Sequence, residues 1–196
     1  HSIMGSPSLY SCLFQGNHAR IGGGVASVEG RPVLIGCRFD GNSASTCGGG
    51  MYWNSPSHSN MYYLDGWGTE VPGDLTLLNC TFVDNTAYGS GGLCLSHASG
   101  VCKVSNCVFV NNYSLSYGGG VGLWSNYLFE ENKRIELTNC ILWGNIAPVN
   151  SQIDDARGYQ ILVVTHSCIQ GGYEGIGNIS ADPMLVNAES GNLRLQ

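Results

Sequence analysis

One motif returns along the chain and limits what it can fold into. Cys12-Leu-Phe14-Gln-Gly-Asn17 recurs as Cys37-Arg-Phe39-Asp-Gly-Asn42, as Cys80-Thr-Phe82-Val-Asp-Asn85 and as Cys107-Val-Phe109-Val-Asn-Asn112. A fifth copy, Cys140-Ile-Leu142-Trp-Gly-Asn145, exchanges Phe for Leu, and a degenerate sixth starts at Cys168. Alanine follows the Asn by two in four copies, at Ala19, Ala44, Ala87 and Ala147. Glycine clusters come next, at 22–24, 48–50, 91–92 and 118–120. Upstream, an apolar residue sits three before the Cys (Leu9, Leu34, Leu77, Val104, Leu137), and another five before (Leu75, Ile135, Val163). Self-similarity of this kind marks stacked repeats, each too small to bury its own apolar face alone.

The spacing carries geometry. Cys and Phe, two apart, share one face of a strand, as do the residues at minus three and minus five. Three is odd, so the two pairs cannot lie on one flat strand, and a corner or bulge must part them. After the glycines another alternating pair appears: Met51/Trp53, Leu93/Leu95 and Val121/Leu123. Each repeat therefore reads as three short strands joined by corners, one coil of a parallel β-helix. Parallel crossovers favour the right hand. The expectation is all-β: a right-handed parallel β-helix of about six coils with corner insertions, forming one domain over 1–196. Equivalent side chains then stack about 4.8 Å apart. Cys12, Cys37, Cys80, Cys107 and Cys140 form one ladder, Phe14, Phe39, Phe82 and Phe109 a second, and Asn17, Asn42, Asn85, Asn112 and Asn145 a third at a corner.

Composition agrees. Glycine is 29 of 196 residues, and glycine inside a helix costs about 1 kcal/mol per site. Charged residues are 11% of the chain and the net charge is −6, with no basic run. A nucleic-acid partner is not expected, because clustered cations are what replace phosphate counterions. No apolar stretch approaches 18 residues, so membrane insertion of this segment is not expected. No signal peptide is recognised at His1-Ser-Ile-Met4, and the chain is expected to be a fragment or module of a longer secreted protein.

Phe-x-x-Asn followed by a glycine cluster resembles the repeats of polymorphic outer membrane proteins and related autotransporter passengers. The stretch from Cys168-Ile-Gln-Gly-Gly-Tyr through Gly177-Asn178-Ile-Ser-Ala-Asp182-Pro183 to Gly191-Asn192-Leu193-Arg194-Leu195 resembles the last coils of secreted bacterial β-helix proteins. The resemblance covers scaffold positions only. It implies an extracellular or cell-surface location, without a membrane-embedded barrel in this segment.

Nine cysteines raise the question of disulfides. Six of them, Cys168 included, are read into one ladder position, where stacked Cβ atoms lie farther apart than the roughly 3.5–4.5 Å of a disulfide. A reduced ladder of small buried hydrophobes is expected instead. Cys47, Cys94 and Cys102 are placed off the ladder. Cys94 and Cys102 flank a short connection and could bridge, although alternation sets Cys94 opposite Leu93 and Leu95. No CxxC cluster or His spacing suggests zinc. No cofactor is expected; calcium needs six to eight oxygens, and nothing indicates such a cage.

Function, if added, belongs in the insertions. The 54–74 insertion carries His58, Tyr62, Tyr63, Asp65, Trp67, Glu70 and Asp74, and the 124–134 insertion carries Trp124, Tyr127, Glu130 and Glu131. Both should leave from one corner, separated by one intervening coil. Tyr62, Tyr63, Asp65, Trp67, Glu70, Trp124, Tyr127, Glu130 and Glu131 are the candidate binding residues: aromatic faces for sugar rings and carboxylates for hydroxyls. The leading expectation is a binding module for adhesion or glycan recognition, with carbohydrate or a host-cell ligand as partner. The first alternative is a polysaccharide lyase or glycoside hydrolase, since two carboxylates about 5–9 Å apart suffice for glycoside hydrolysis. Asp40 and Asp84, Arg38 with Asp40, and the acidic turn Asp154-Asp155 are further polar spots, more simply read as corner or solvated residues. The second alternative is a structural spacer, with further coils or subunits on uncapped ends. The sequons at Asn79, Asn112 and Asn178 are weak, because burial is expected at Asn79 and Asn112.

Overall fold

The computed structural model describes residues 2–3, 5–55, 74–96, 101–124, 134–155, 161–187 and 192–195. Among them there is no helix; every long-range ladder but one is parallel. Four sheets run along one axis, and the chain visits them in the same order in each coil. The first stacks Ser8–Tyr10, Val33–Ile35, Leu75–Leu78, Val101–Ser105, Arg134–Thr138 and Ile161–Thr165. The second stacks Leu13–Gln15, Arg38–Asp40, Thr81–Val83, Val108–Val110, Ile141–Trp143 and Cys168–Ile169. The third holds His18–Ile21, Ser43–Cys47, Thr86–Gly89 and Tyr113–Ser114. The fourth holds Ser2–Ile3, Val25–Val28, Met51–Asn54, Leu93–Ser96, Val121–Trp124 and Ile153–Asp154. This is a parallel β-helix with four strands per coil rather than three. The strand after the ladder Asn had no apolar alternation to betray it, because its inward residue is only Ala19, Ala44, Ala87 or Ser114.

The core is a set of columns. Phe14, Phe39, Phe82 and Phe109 pair in register, and their rings stack at centroid separations of 4.9, 4.5 and 4.7 Å. Such contacts add about 0.5–1.5 kcal/mol each beyond burial. Leu9, Leu34, Leu77, Val104, Leu137 and Val164 form a second column. Trp53, fully buried, stands next to Ser27 in the fourth sheet and donates from Nε1 to Gly30 O at 3.2 Å.

The Asn column binds coil to coil. Asn42 gives both its backbone N–H and its Nδ2 to Asn85 Oδ1, at 3.0 and 2.9 Å. Asn85 repeats this on Asn112, and Asn112 on Asn145. Each Nδ2 also donates backward, to the carbonyl of the preceding coil: Asn42 to Phe14, Asn85 to Phe39, Asn112 to Phe82 and Asn145 to Phe109. One carboxamide thus ties three coils together, and no buried polar atom of Asn42, Asn85 or Asn112 lacks a partner.

Corners are set by residues in the left-handed region. Ser11, Gly36, Asn79, Asn106, Asn139 and His166 share one corner with φ near +50 to +64°. Asn tolerates that conformation better than most side chains, which accounts for the three Asn-Cys pairs. At the glycine corner Gly48 has φ +70°, and a Cβ there would run into Met51 O.

Three readings change. Cys168 pairs with Ile141 rather than Cys140, so the sixth coil is shifted by one. Ser167 occupies the Cys position, its Oγ accepting from Cys140 N–H at 3.0 Å. The inward residues are then Leu162, Val164 and Ile169, not Val163, because the interior selects whichever frame buries apolar side chains. Asn79, expected to be buried, is exposed at its corner, whereas Asn112 is fully buried. The last coil is also covered: Ile179 N–H donates to Ser167 O, Ile169 N–H to Ile179 O, and Asn178 Oδ1 accepts from Ser167 N–H. Beyond it, Leu185–Asn187 and Asn192–Leu195 pair antiparallel.

Replacing Asn112 with Ala deletes an acceptor of two bonds and the Nδ2 donor of two more, in a fully buried site. We expect a loss of about 2–4 kcal/mol in urea unfolding. Asn17→Ala, at the exposed end of the same column, should lose less than about 1 kcal/mol. Equal losses at the two positions would contradict the role given to the buried carboxamides.

Candidate functional site

From Cys12 to Val25, Cys37 to Met51, Cys80 to Leu93, Cys107 to Val121 and Cys140 to Ile153, the chain advances 13 or 14 positions. Those first residues stack in one corner, and the second residues pair in the fourth sheet. From the minus-three residue to the Cys the distance is always three. Apart from that single residue, all variation in coil length leaves the prism at one edge, where the fourth sheet passes to the first. The departing ends are in register: Val28, Asn54, Ser96 and Trp124. The returning ends, Leu75, Cys102, Ile135 and Leu162, are in register too. Both insertions leave from this edge, with one coil between them.

Of the candidate binding residues, only Trp124 lies among the described ones. It is half-buried, in the outward column of Asn54 and Ser96. Tyr62, Tyr63, Asp65, Trp67, Glu70, Tyr127, Glu130 and Glu131 lie outside the described residues, as does His58. Around the edge, Asn54 Nδ2 donates to Tyr52 OH at 3.1 Å, and Asp74 Oδ1 accepts from Val101 N–H at 3.0 Å. Arg134 and Glu136 form an exposed ion pair at 2.6 Å. The edge thus offers aromatic, amide and charged groups in outward positions.

Asp40 and Asp154 are occupied by local donors. Asp40 receives both Nε and Nη2 of Arg38, at 3.0 and 2.8 Å, a local pair on the outside of the second sheet. Burial, and then the Asp40 carboxylate, raises the carboxyl pKa of Asp84. Asp154, expected in a solvated turn, is buried and accepts from Asn150 Nδ2 at 2.7 Å.

The thiols resolve into two kinds. Cys12, Cys37, Cys80, Cys107 and Cys140 are free. Several donate to carbonyls of the coil before, as Cys80 Sγ does to Leu34 O at 3.4 Å and Cys140 Sγ to Val104 O at 3.5 Å. Burial pushes the Cys37 and Cys102 thiols up, so they stay protonated. Cys102 is not off the columns: it stands between Leu75 and Ile135, fully buried. It therefore cannot reach Cys94. The disulfide is Cys47–Cys94 instead. Cys94 does face away from Leu93 and Leu95, but the glycine corner is so tight that the outward side of the fourth sheet meets the end of the third. The same closeness holds one coil on, where a Cβ on Gly122 would run into Ser90 Oγ. Cys47 was the missed partner; its place just before Gly48 was the available signal.

A second concavity lies at the C-terminal end of the prism. After Ile169 the chain turns at Gly171 and Gly172, both with φ above +80°, and among the described residues no strand stacks over residues 145–155 in the third and fourth sheets. The result is a cleft of about 520 Å³ lined by Asn145, Gln152, Ile153, Asp155, Gln170 and Tyr173 among others. Asn145 Nδ2 donates to Gln152 Oε1 at 2.7 Å, and Gln152 Nε2 to Gln170 Oε1 at 3.2 Å. Tyr173 OH donates to Asp155 Oδ2 at 2.5 Å, and burial, followed by that bond, raises the phenol pKa. Sequence reasoning missed this cleft. Its signal was the absence of an Asn in the copy after Asn145.

Stacked coils of this architecture, closed around an apolar interior, define the class: a solenoid whose loops are carried on a repetitive frame. The sequence model of the right-handed β-helix region matches residues 3–140, and the chain belongs to that family. Searches of curated proteins and of solved structures return no match.

Peptide mapping without reduction should recover Cys47 linked to Cys94 and find Cys102 as a free thiol. Replacing both bridged cysteines with Ala should lower unfolding free energy by up to about 4 kcal/mol, the chain-entropy value for a 47-residue separation. Recovery of a Cys94–Cys102 peptide would contradict the assignment.

Proposed function

We propose that the chain is an extracellular binding module of a secreted or cell-surface protein, recognising glycans along the edge between its fourth and first sheets. One observation carries the reading. Everywhere else on the frame the length varies by a single residue at most, and the two long insertions are both attached to this one edge. Long loops on a rigid frame are where binding residues concentrate. These two bring Tyr62, Tyr63, Trp67, Trp124 and Tyr127, with Asp65, Glu70, Glu130 and Glu131. Aromatic faces stack on sugar rings, while carboxylates and amides take the hydroxyls.

Location is supported by chemistry as well. The Cys47–Cys94 disulfide suits an oxidising compartment. The repeat's likeness to polymorphic outer membrane proteins and autotransporter passengers points the same way. Adhesion is the role such a surface would serve. Further coils or a subunit would stack on the first coil, whose Leu9, Cys12 and Phe14 are only half-buried.

A glycan array should register binding with no product released. Trp124→Ala and Trp67→Ala should each weaken it by about tenfold or more, as loss of an aromatic anchor does. Unsaturated or reducing-end products from an acidic polysaccharide, lost in Glu70→Gln or Glu131→Gln, would replace this reading with the enzymatic one. A blank array together with no turnover would leave the chain a spacer.

A further inference from the structure

We propose that the C-terminal cleft is a separate subsite for the acetamido group of an N-acetylated sugar. The argument starts from the polarity of the Asn column. In each coil the ladder Asn directs its backbone N–H toward the next coil, where a carboxamide oxygen receives it: Asn42 on Asn85, Asn85 on Asn112, Asn112 on Asn145. Asn145 is the last of the series. Its Nδ2 finds a substitute in Gln152 Oε1, whose side chain is one methylene longer and reaches back from a later position in the same coil. Its N–H has no acceptor among the described residues. Asn145 is nevertheless only 4% exposed and lines the cleft, on the side where the N–H of each ladder Asn beneath meets its next coil.

A buried amide hydrogen without a partner is uncommon and destabilising. The group that fits is the one used in every coil beneath, an amide carbonyl oxygen. An acetamido substituent supplies it. The rest of the cleft suits the sugar that bears it. Tyr173 offers a half-buried aromatic face, Asp155 an exposed carboxylate to accept hydroxyls, and Ile153 an apolar floor for a methyl group. Gln152 and Gln170 are held by each other and by Gly144 N–H, which donates to Gln170 Oε1 at 2.8 Å. Their amides are therefore oriented before a ligand arrives. The volume, about 520 Å³, is that of a small-molecule site. An anionic sugar is disfavoured, because the charged group lining the cleft is the Asp155 carboxylate and no described cation lines it.

The subsite stands apart from the loop-bearing edge, so the two readings fail separately. Titrating the isotope-labelled chain with chitotriose and, in parallel, with cellotriose tests it by amide NMR. Chitotriose should shift the Asn145 and Tyr173 amides saturably in the millimolar range, and cellotriose, which lacks the acetamido group, should bind about tenfold more weakly, the effect of one lost hydrogen bond. Asp155→Ala, at an exposed position, should weaken the response severalfold without altering the fold, and Tyr173→Ala should abolish it. Trp124→Ala should leave it unchanged. An Asn145 amide that does not move, equal affinity for the two trisaccharides, or loss of the response in Trp124→Ala would each overturn the proposal.

Discussion

Everything in this protein hangs on a carboxamide that cannot be satisfied within its own coil. A buried Asn at a β-helix corner has two donors and an acceptor to place, with water excluded. Asn42, Asn85 and Asn112 solve this by bonding to the coil before and the coil after, through side chain and backbone at once. The bonds demand an Asn at the same height and azimuth in the next coil. They therefore hold register more strictly than the surrounding leucines and valines, which would tolerate a shift. Phe39, Phe82 and Phe109 stack because the Asn column already fixes where each coil sits.

Such a frame separates two tasks. Between the Cys corner and the fourth sheet the chain varies by one residue only, absorbed at a register shift in the third sheet, since an uncompensated extra residue would move every inward side chain outward. Between the fourth and first sheets it has ample freedom, because no column crosses that edge. Insertions accumulate there without disturbing the core. The loop sequence is consequently free to change with the ligand, which is the arrangement expected of a scaffold for recognition.

The cysteines illustrate how one residue type takes its chemistry from its place. In the columns a thiol is a compact apolar group with a weak hydrogen bond to a carbonyl, and at Cys37 and Cys102 burial pushes its pKa up. At the outer side of the glycine corner, two cysteines from successive coils meet and become a disulfide. That bridge spans the joint between the third and fourth sheets, the place where the backbone is least protected by side chains because glycine provides none.

Periodicity alone determined the parallel coils, the Phe, Asn and Cys columns and the single edge from which the insertions depart. Those features follow from residues repeating at constant offsets, and offsets are visible in one dimension. The fourth strand of each coil was not legible, because alanine and serine inside and mixed residues outside leave no alternation. The shift at Cys168 was not legible either: a Cys attracts the eye, but the interior accepts Ser167 and selects the frame that buries Val164 and Ile169. Only the tertiary structure joined Cys47 to Cys94 and turned Cys102 inward, since the sharpness of the glycine corner decides which outward faces touch. The C-terminal cleft belongs to the same category. It exists because, among the described residues, the sixth coil adds no strand to two of the four sheets, and a missing neighbour leaves no mark on the residues that would have met it.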